Sequence, residues 1–284
     1  MLRRFEVHHP STVADAVALR LRYGGEAAIY AGGTELLLAM KLGVARWPHL
    51  IDVKRIPELG GVSLRDGVLR IGATVTHWDL ERDASVARAI PALAALERNV
   101  ANVRVRAAGT LAGNIAFAEP HADPPALLIA LGARVVLRGE KGERALPLET
   151  FVTGMYETAI AADEIITAIE VPVPAANMRA TYLKFQILER PSVGVAIAGE
   201  LREGRFTDAP AVVVGAVDEM PRRVETGSLA RADARAPGTA DALADAARAA
   251  VEPVADLAGS VEYKQHLVGV FARRALARLV GEAA

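Results

Sequence analysis

The chain has 284 residues, 52% of them hydrophobic, with a formal net charge of -1. That length holds one large domain or two ordinary ones around a sizeable core, and the balanced charge points to neither nucleic acid nor an anionic membrane. There is no cysteine, which excludes disulfides, cysteine nucleophiles and cysteine-ligated clusters on this chain.

The opening "MLRRFEVHHP" is basic but has no apolar run, so no secretory signal is expected. Residues 5–8 read as a short strand. Pro10, Ser11 and Thr12 open a helix with Val13, Val17 and Leu21 on one face, and Gly24-Gly25 end it. Residues 27–31 form a second strand, which "AGGTELLLAMKLG" (31–43) joins to an apolar helix. A third strand spans 49–53 and ends near Pro57. Val68 to Ile71 alternates as a strand, and helices are expected at 76–81 and 90–96. A second glycine-bearing loop, "AAGTLAGNIAFAEPHADPP" (107–125), leads to an apolar helix from Pro125 to Leu131. Residues 133–137 and 144–146 flank "RGEKGE" as a hairpin, and 164–171 form a further strand. The longest apolar stretch, 126–137, contains Arg134, so no transmembrane helix is expected and a cytoplasmic location is the default.

"PVPAAN" (172–177) reads as a domain boundary. Strands at 181–185, 193–201 and 211–217 follow, with Gly204 turning the second into the third. Helices are expected at 239–251 and 260–280. Ser260 is placed to cap the last one, and Leu267, Phe271 and Ala275 recur at helical spacing. The class is α+β. Residues 1–175 carry both glycine loops, and a smaller three-stranded, helix-backed domain completes the chain.

Paired glycines before a helix leave backbone N–H groups uncovered, where a phosphate can approach them. Thr34 adds a hydroxyl. Gly109, Thr110, Gly113 and Asn114 repeat the theme, and two such loops suit a diphosphate. Read alone, each loop is an ordinary turn. Neither G-x-G-x-x-G nor G-x-x-x-x-G-K-[ST] occurs, which argues against a Rossmann NAD site or a P-loop. His8 and His9 are adjacent and point to opposite faces of a strand, so no metal site is expected there. His121, beside Glu119 and Asp123, reads as part of a polar loop. No nucleophile–base pair stands out, which fits redox chemistry carried by a cofactor.

Taken together, "AGGTELLLAMKLG" and "GTLAGNIAFAEPHADPPALLIALGA" resemble the FAD-binding medium subunits of molybdenum hydroxylases, the group of xanthine dehydrogenase and carbon monoxide dehydrogenase. "HLIDVKRIPEL", "EIITAIEVP" and "YLKFQILERPSVGVAIAGEL" follow in the family's order, so the resemblance spans nearly the whole chain. It implies the two-part FAD-binding fold shared with vanillyl-alcohol oxidase, over about 1–57 and 58–175. A small three-stranded α+β domain of the carbon monoxide dehydrogenase flavoprotein type would span 176–284. Residue by residue, Ala31, Gly32, Gly33, Thr34 and Glu35 match the family's loop for the FAD pyrophosphate. Thr110, Gly113 and Asn114 match its second loop. Asp123 matches an acidic residue on the adenosine side of the cofactor, although Asp before Pro124-Pro125 also reads as a plain helix cap. Ile166 matches an apolar residue packed on FAD, Lys184 a lysine near the flavin, and Ala101 and Val105 small apolar positions of the site.

One departure is Ala112, where the family usually has a first glycine before the asparagine. A positive φ there would cost about 1 kcal/mol or more. The absence of cysteine also rules out the extra iron–sulfur insertion of the 4-hydroxybenzoyl-CoA reductases. The resemblance implies one non-covalent FAD per chain and a role as electron relay. A large partner would hold the molybdenum cofactor, and a small partner would hold two [2Fe-2S] clusters, in a dimer of heterotrimers. No catalytic residue or metal ligand is expected on this chain. Two other readings remain at this level: a stand-alone flavin oxidoreductase with its own substrate pocket, and an interaction protein that kept the fold without the cofactor. The substrate of the complex and the final acceptor (NAD, a quinone or oxygen) are not legible in this chain.

Overall fold

The computed structural model describes residues 2–187 and 189–282; Leu188, inside the "YLKFQILER" fragment, lies outside the described residues, as do Met1, Ala283 and Ala284. Three main sheets follow one another along the chain, with a separate two-stranded hairpin between the strands of the second. The first contains β1 (Glu6–His8), β2 (Ala27–Tyr30) and β3 (His49–Asp52), with α1 (Val13–Tyr23) and α2 (Leu36–Leu42) between them. Its strands are parallel in the order β1-β3-β2. Parallel neighbours need a crossover, and α2 supplies the one from β2 to β3. Thr12 caps α1 by accepting from the Asp15 amide at 3.1 Å, and Gly24, at φ 52°, stops it. Ala16 and Val17 form the buried face; Leu21, expected there, is largely solvent-exposed in the last turn.

The second sheet is antiparallel. β4 (Val62–Arg65) and β5 (Val68–Gly72) precede a run of helices: α3 (His77–Arg82), α4 (Ala84–Ala89), α5 (Pro91–Glu97), α6 (Val103–Ala108), α7 (Leu111–Phe117) and α8 (Pro124–Ala130). Then come β6 (Arg134–Gly139), β7 (Gly142–Pro147), α9 (Leu148–Phe151), a small hairpin of β8 (Val152–Gly154) and β9 (Glu157–Thr158), and β10 (Ile165–Pro172). The order is β4-β5-β10-β6-β7, which places the apolar β10 in the middle. The β6–β7 hairpin turns at Glu140-Lys141, as its sequence predicts. Thr76 and Asp79 form a reciprocal capping box at the start of α3.

The reading of 107–125 as one loop does not hold. Thr110 accepts from the Gly113 amide at 3.0 Å and starts α7, so Gly113 and Asn114 are helical. Both are turn-type residues, and a seven-residue helix is too short to reveal a period. β4, α4 and α6 escaped the sequence for the same reason.

The third sheet holds β11 (Met178–Gln186), β12 (Pro191–Arg202) and β14 (Ala211–Gly215), with two-residue strands β13 (Arg205–Phe206) and β15 (Arg222–Arg223) attached. Gly204 turns β12 into β13 rather than directly into β14. α10 (Pro237–Ala249) and α11 (Val261–Leu279) back this sheet. β12 is buried continuously from Pro191 to Gly199 because it packs on both faces. Val193, Val195 and Ile197 join the core under α10 and α11. Ala196 and Ala198, on the alternate face, join the N-terminal core against α8, together with Val213. Small side chains on that face let the helix approach closely.

Candidate functional site

A cleft of about 420 Å³ opens where the three layers meet. The first glycine segment forms one wall. Gly32 packs so tightly that a Cβ there would lie 2.2 Å from the Ala108 carbonyl oxygen and 2.7 Å from Gly109 Cα. Gly33 sits at φ 72°, a conformation that favours glycine, with the Tyr30 ring against it. The turn leads into α2, and the amides of Thr34, Glu35 and Leu36 have no acceptor among the described residues. They are donors at a helix start, facing a cleft.

The second segment touches the first. A Cβ on Gly109 would meet Val105 O at 2.9 Å, His77 Cδ2 at 3.3 Å and Thr34 Oγ1 at 3.3 Å. The two glycine motifs are therefore halves of one contact, and Gly109 serves packing. Gly113 differs from its expected role: its amide is already given to Thr110. Ala112, buried at the start of α7, is not among the residues with positive φ, so the departure from the family pattern carries no backbone strain. Ala101 does adopt positive φ, 41°, beside the cleft.

Of the residues singled out from sequence, Ala31, Gly32, Gly33, Thr34, Glu35, Ala101, Val105, Thr110, Gly113, Asn114, Asp123 and Ile166 all line this cleft. Lys184 does not. It donates to Asp123 Oδ2 at 2.9 Å and to the Asn99 carbonyl at 2.7 Å. Asp123 is no side-chain cap: it makes no capping bond to α8 and accepts instead from Tyr182 Oη at 2.9 Å. Burial pushes the Asp123 carboxyl up; Lys184 and Tyr182 pull it back, and Glu97 adds to the push. Burial beside Asp123 also drives the Tyr182 hydroxyl well up.

Several lining groups had no clear signal in the sequence. Arg190 bridges the cleft, donating to both Glu35 oxygens at 3.0 Å and to Glu119. Glu119 also accepts from Tyr156 at 2.9 Å and pairs with His121 at 3.0 Å. Burial would raise the Glu119 carboxyl, but His121, Arg190 and Tyr156 together hold it at about 2. His121 continues to Asp256 at 3.2 Å, and Asp256 to the buried Lys264 at 2.7 Å. His77 is buried against Glu97, with Nδ1 2.6 Å from a carboxylate that is fully enclosed. The ring edge opposite that bond is the one beside Gly109 and Thr34.

Two buried polar atoms on the lining have no partner among the described residues, Asn114 Oδ1 and Arg20 Nε. Buried polar groups are ordinarily bonded, so these mark positions for a polar ligand. Free turn amides, a hydroxyl at Thr34, an orphan acceptor at Asn114 and an apolar wall of Ile160, Ile165 and Ile166 suit a long molecule with an anionic middle and an aromatic end. That is the chemistry of a flavin dinucleotide, and the residues present fit it.

Comparison with known proteins agrees. A family model described as the FAD binding domain in molybdopterin dehydrogenase matches residues 3–174, and one described as the CO dehydrogenase flavoprotein C-terminal domain matches 189–279. The chain is 35% identical over 275 residues to the carbon monoxide dehydrogenase medium chain of Hydrogenophaga pseudoflava, covering 96% of each. It is 27% identical over 282 residues to the xanthine dehydrogenase FAD-binding subunit of Escherichia coli O157:H7, covering 97% of this chain and 96% of that one. Among solved structures, it matches a chain of the Hydrogenophaga pseudoflava carbon monoxide dehydrogenase that lacks the Mo-pyranopterin moiety of its molybdenum cofactor. There the TM-score is 0.96, with 34% identity and 100% of both chains covered.

Proposed function

The chain belongs to the family of FAD-binding medium subunits of molybdopterin dehydrogenases, and from that premise we propose that its cleft holds FAD non-covalently with the groups just described. It is an oxidoreductase subunit with an electron-transfer role. The observation that carries the cleft assignment is the contact between the two glycine segments beside unpaired turn amides. FAD, when bound, supplies the redox centre between one-electron donors and the final acceptor.

The chain's own residues bind and orient. The amides of Thr34 to Leu36 donate to the diphosphate, and the Thr34 hydroxyl stands beside them. His77, fixed through Nδ1 by Glu97, presents its opposite ring edge next to that position. Asn114 Oδ1 accepts from the cofactor, and Asp123, held by Tyr182 and Lys184, keeps lone pairs free for a ribose hydroxyl. Ile166, Ala101 and Val105 exclude water from the apolar part. Arg190, tied to Glu35 and Glu119, closes the cleft on one side. Lys184 acts through Asp123.

In this reading residues 1–57 and 58–175 form the two parts of the FAD domain, and residues 176–284 form the C-terminal domain. A large molybdopterin subunit and a small iron–sulfur subunit complete the enzyme as a dimer of heterotrimers in the cytoplasm. No helix of the described residues is long and apolar enough to cross a membrane. The test uses the purified complex. Acid precipitation should release one FAD per medium chain into the supernatant. The flavin-free complex should still let substrate reduce the iron–sulfur clusters but should no longer reduce the final acceptor. Flavin retained in the pellet would refute non-covalent binding, and full-rate acceptor reduction without flavin would refute the relay role.

A further inference from the structure

The first sheet brings together three ligating side chains that lie far apart in sequence. Glu6 stands opposite His49 in the parallel register, and His8, two residues further along β1, shares the face of Glu6. His8 Nε2 and His49 Nδ1 are 3.1 Å apart. Glu6 approaches with one carboxylate oxygen 3.9 Å from His8 Nδ1 and the other 3.7 Å from His49 Nδ1. One ligand atom from each residue lies within 4.8 Å of the other two, and no other group of this kind occurs among the described residues. Tyr23, at the end of α1, stacks on both imidazoles, with ring centroids 3.9 Å from His49 and 4.8 Å from His8. The rings are thereby held in place, while the Glu6 side chain is exposed beside them.

We propose that Glu6, His8 and His49 form a surface site for a divalent transition metal of the Zn²⁺ class. Zn²⁺ binds imidazole nitrogen at about 2.0–2.1 Å in tetrahedral geometry, which places two donor nitrogens about 3.3 Å apart. The observed separation already matches. Two imidazoles and one carboxylate suit Zn²⁺ better than Mg²⁺ or Ca²⁺, which prefer all-oxygen shells. Without a metal, one imidazole donates across this contact; on metal binding that N–H moves to the donor ring's other nitrogen, which leaves both facing nitrogens free as neutral ligands. The fourth position faces solvent and takes water. His9 takes no part: it points to the other face and lies 3.6 Å from Asp52. The adjacent-histidine argument from sequence concerned that pair alone and could not see His49 arriving from a parallel strand. A bound ion would tie the three-residue edge strand β1 to β3.

The test is calorimetric titration of Zn²⁺ alone into the untagged, chelator-treated chain near neutral pH, followed by thermal melts. One saturable Zn²⁺ per chain is expected, with a rise in melting temperature. His8→Gln and His49→Gln should each weaken binding about tenfold or more, since losing an outer-shell partner alone already costs that much, and should abolish the thermal rise. Glu6→Gln changes an exposed side chain without risk to the fold and should weaken binding while leaving the metal-free melting temperature unchanged. Absence of saturable binding overturns the proposal. So does wild-type affinity in Glu6→Gln or in either histidine variant, which would mean an adventitious ion elsewhere on the surface.

Discussion

Replacing Lys184 with methionine removes the charge from a buried pair and keeps most of the side chain's apolar length. Lys184 Nζ lies 2.9 Å from Asp123 Oδ2, with side-chain exposures of 11% and 4%. Breaking such a pair from one side costs about 3–5 kcal/mol. Protonation of the stranded carboxyl limits that cost. Starting from an unfolded pKa of about 3.9, uptake of a proton costs about 1.4 kcal/mol per pH unit, hence about 4 kcal/mol near pH 7 and about 1.5 kcal/mol near pH 5. The direction follows from the wild type, where burial already holds the Asp123 carboxyl above its ordinary value against the pull of Lys184 and Tyr182. A carboxyl raised in the folded state destabilises the fold above its folded pKa, and the penalty fades as pH falls toward the unfolded value. Lys184→Met should therefore lose about 3–4 kcal/mol near neutral pH and about half that or less near pH 5, beyond a pH-independent loss of about 1 kcal/mol for the bond to Asn99. Both losses are within reach of a domain stable by about 5–15 kcal/mol. Urea unfolding at the two pH values measures them. Adding Asp123→Asn should recover much of the neutral-pH loss. A loss equal at both pH values, or larger in acid, would refute the idea that a stranded charge is what destabilises the variant.

Gly33→Val places a branched side chain at φ 72° with its Cβ 2.2 Å from the Tyr30 ring, so the turn must move. FAD occupancy, read from the flavin absorbance per chain, should fall sharply, while Gly25→Ala, with nothing within 4 Å of its Cβ, should keep full occupancy. Equal flavin content in the two variants would mean that the segment is only a connection. Arg190→Gln removes the cation that helps hold the Glu119 carboxyl at about 2. A carboxyl lowered in the folded state contributes stability that is present above its unfolded pKa and is lost as pH falls through the folded one. The variant should accordingly begin acid unfolding at a higher pH than the wild type, as followed by circular dichroism. An unchanged acid transition would show that His121 and Tyr156 alone hold Glu119.

Much of the cleft was legible because its parts are local in sequence. Ala31 to Glu35 form one continuous turn, Thr110 to Asn114 lie within two turns' length, and each carries small residues that a close backbone approach requires. The long elements were also legible: α11 shows helical spacing in Leu267, Phe271 and Ala275, all of which are buried. What stayed hidden is relational. Nothing near Gly32 in sequence reveals that it rests on Ala108 and Gly109. Asp123 looks like a cap because Pro124 follows it. Its partners, Tyr182 and Lys184, stand two residues apart on one face of β11, and no local pattern announces a buried pair across that distance. The short helices α4, α6 and α7 have six or seven residues, too few for a period, and are fixed by capping residues and packing instead.

The same long-range contacts bear on how cofactor binding and folding are joined. The C-terminal part gives the cleft little lining of its own, yet it holds four of the groups that face it. β11 supplies Tyr182 and Lys184 to Asp123, and the segment before β12 supplies Arg190 to Glu35 and Glu119. The loop before α11 supplies Asp256 to His121. Each link is a hydrogen bond or ion pair at least partly removed from water, so separating the third sheet from the first two would forfeit all of them together. The docking of the C-terminal sheet through Ala196 and Ala198 is therefore reinforced by a set of charges that is satisfied only in the docked arrangement. On the proposed reading, a cleft held by contacts within the chain itself would leave FAD only the free turn amides and the two orphan polar atoms, Asn114 Oδ1 and Arg20 Nε, to satisfy.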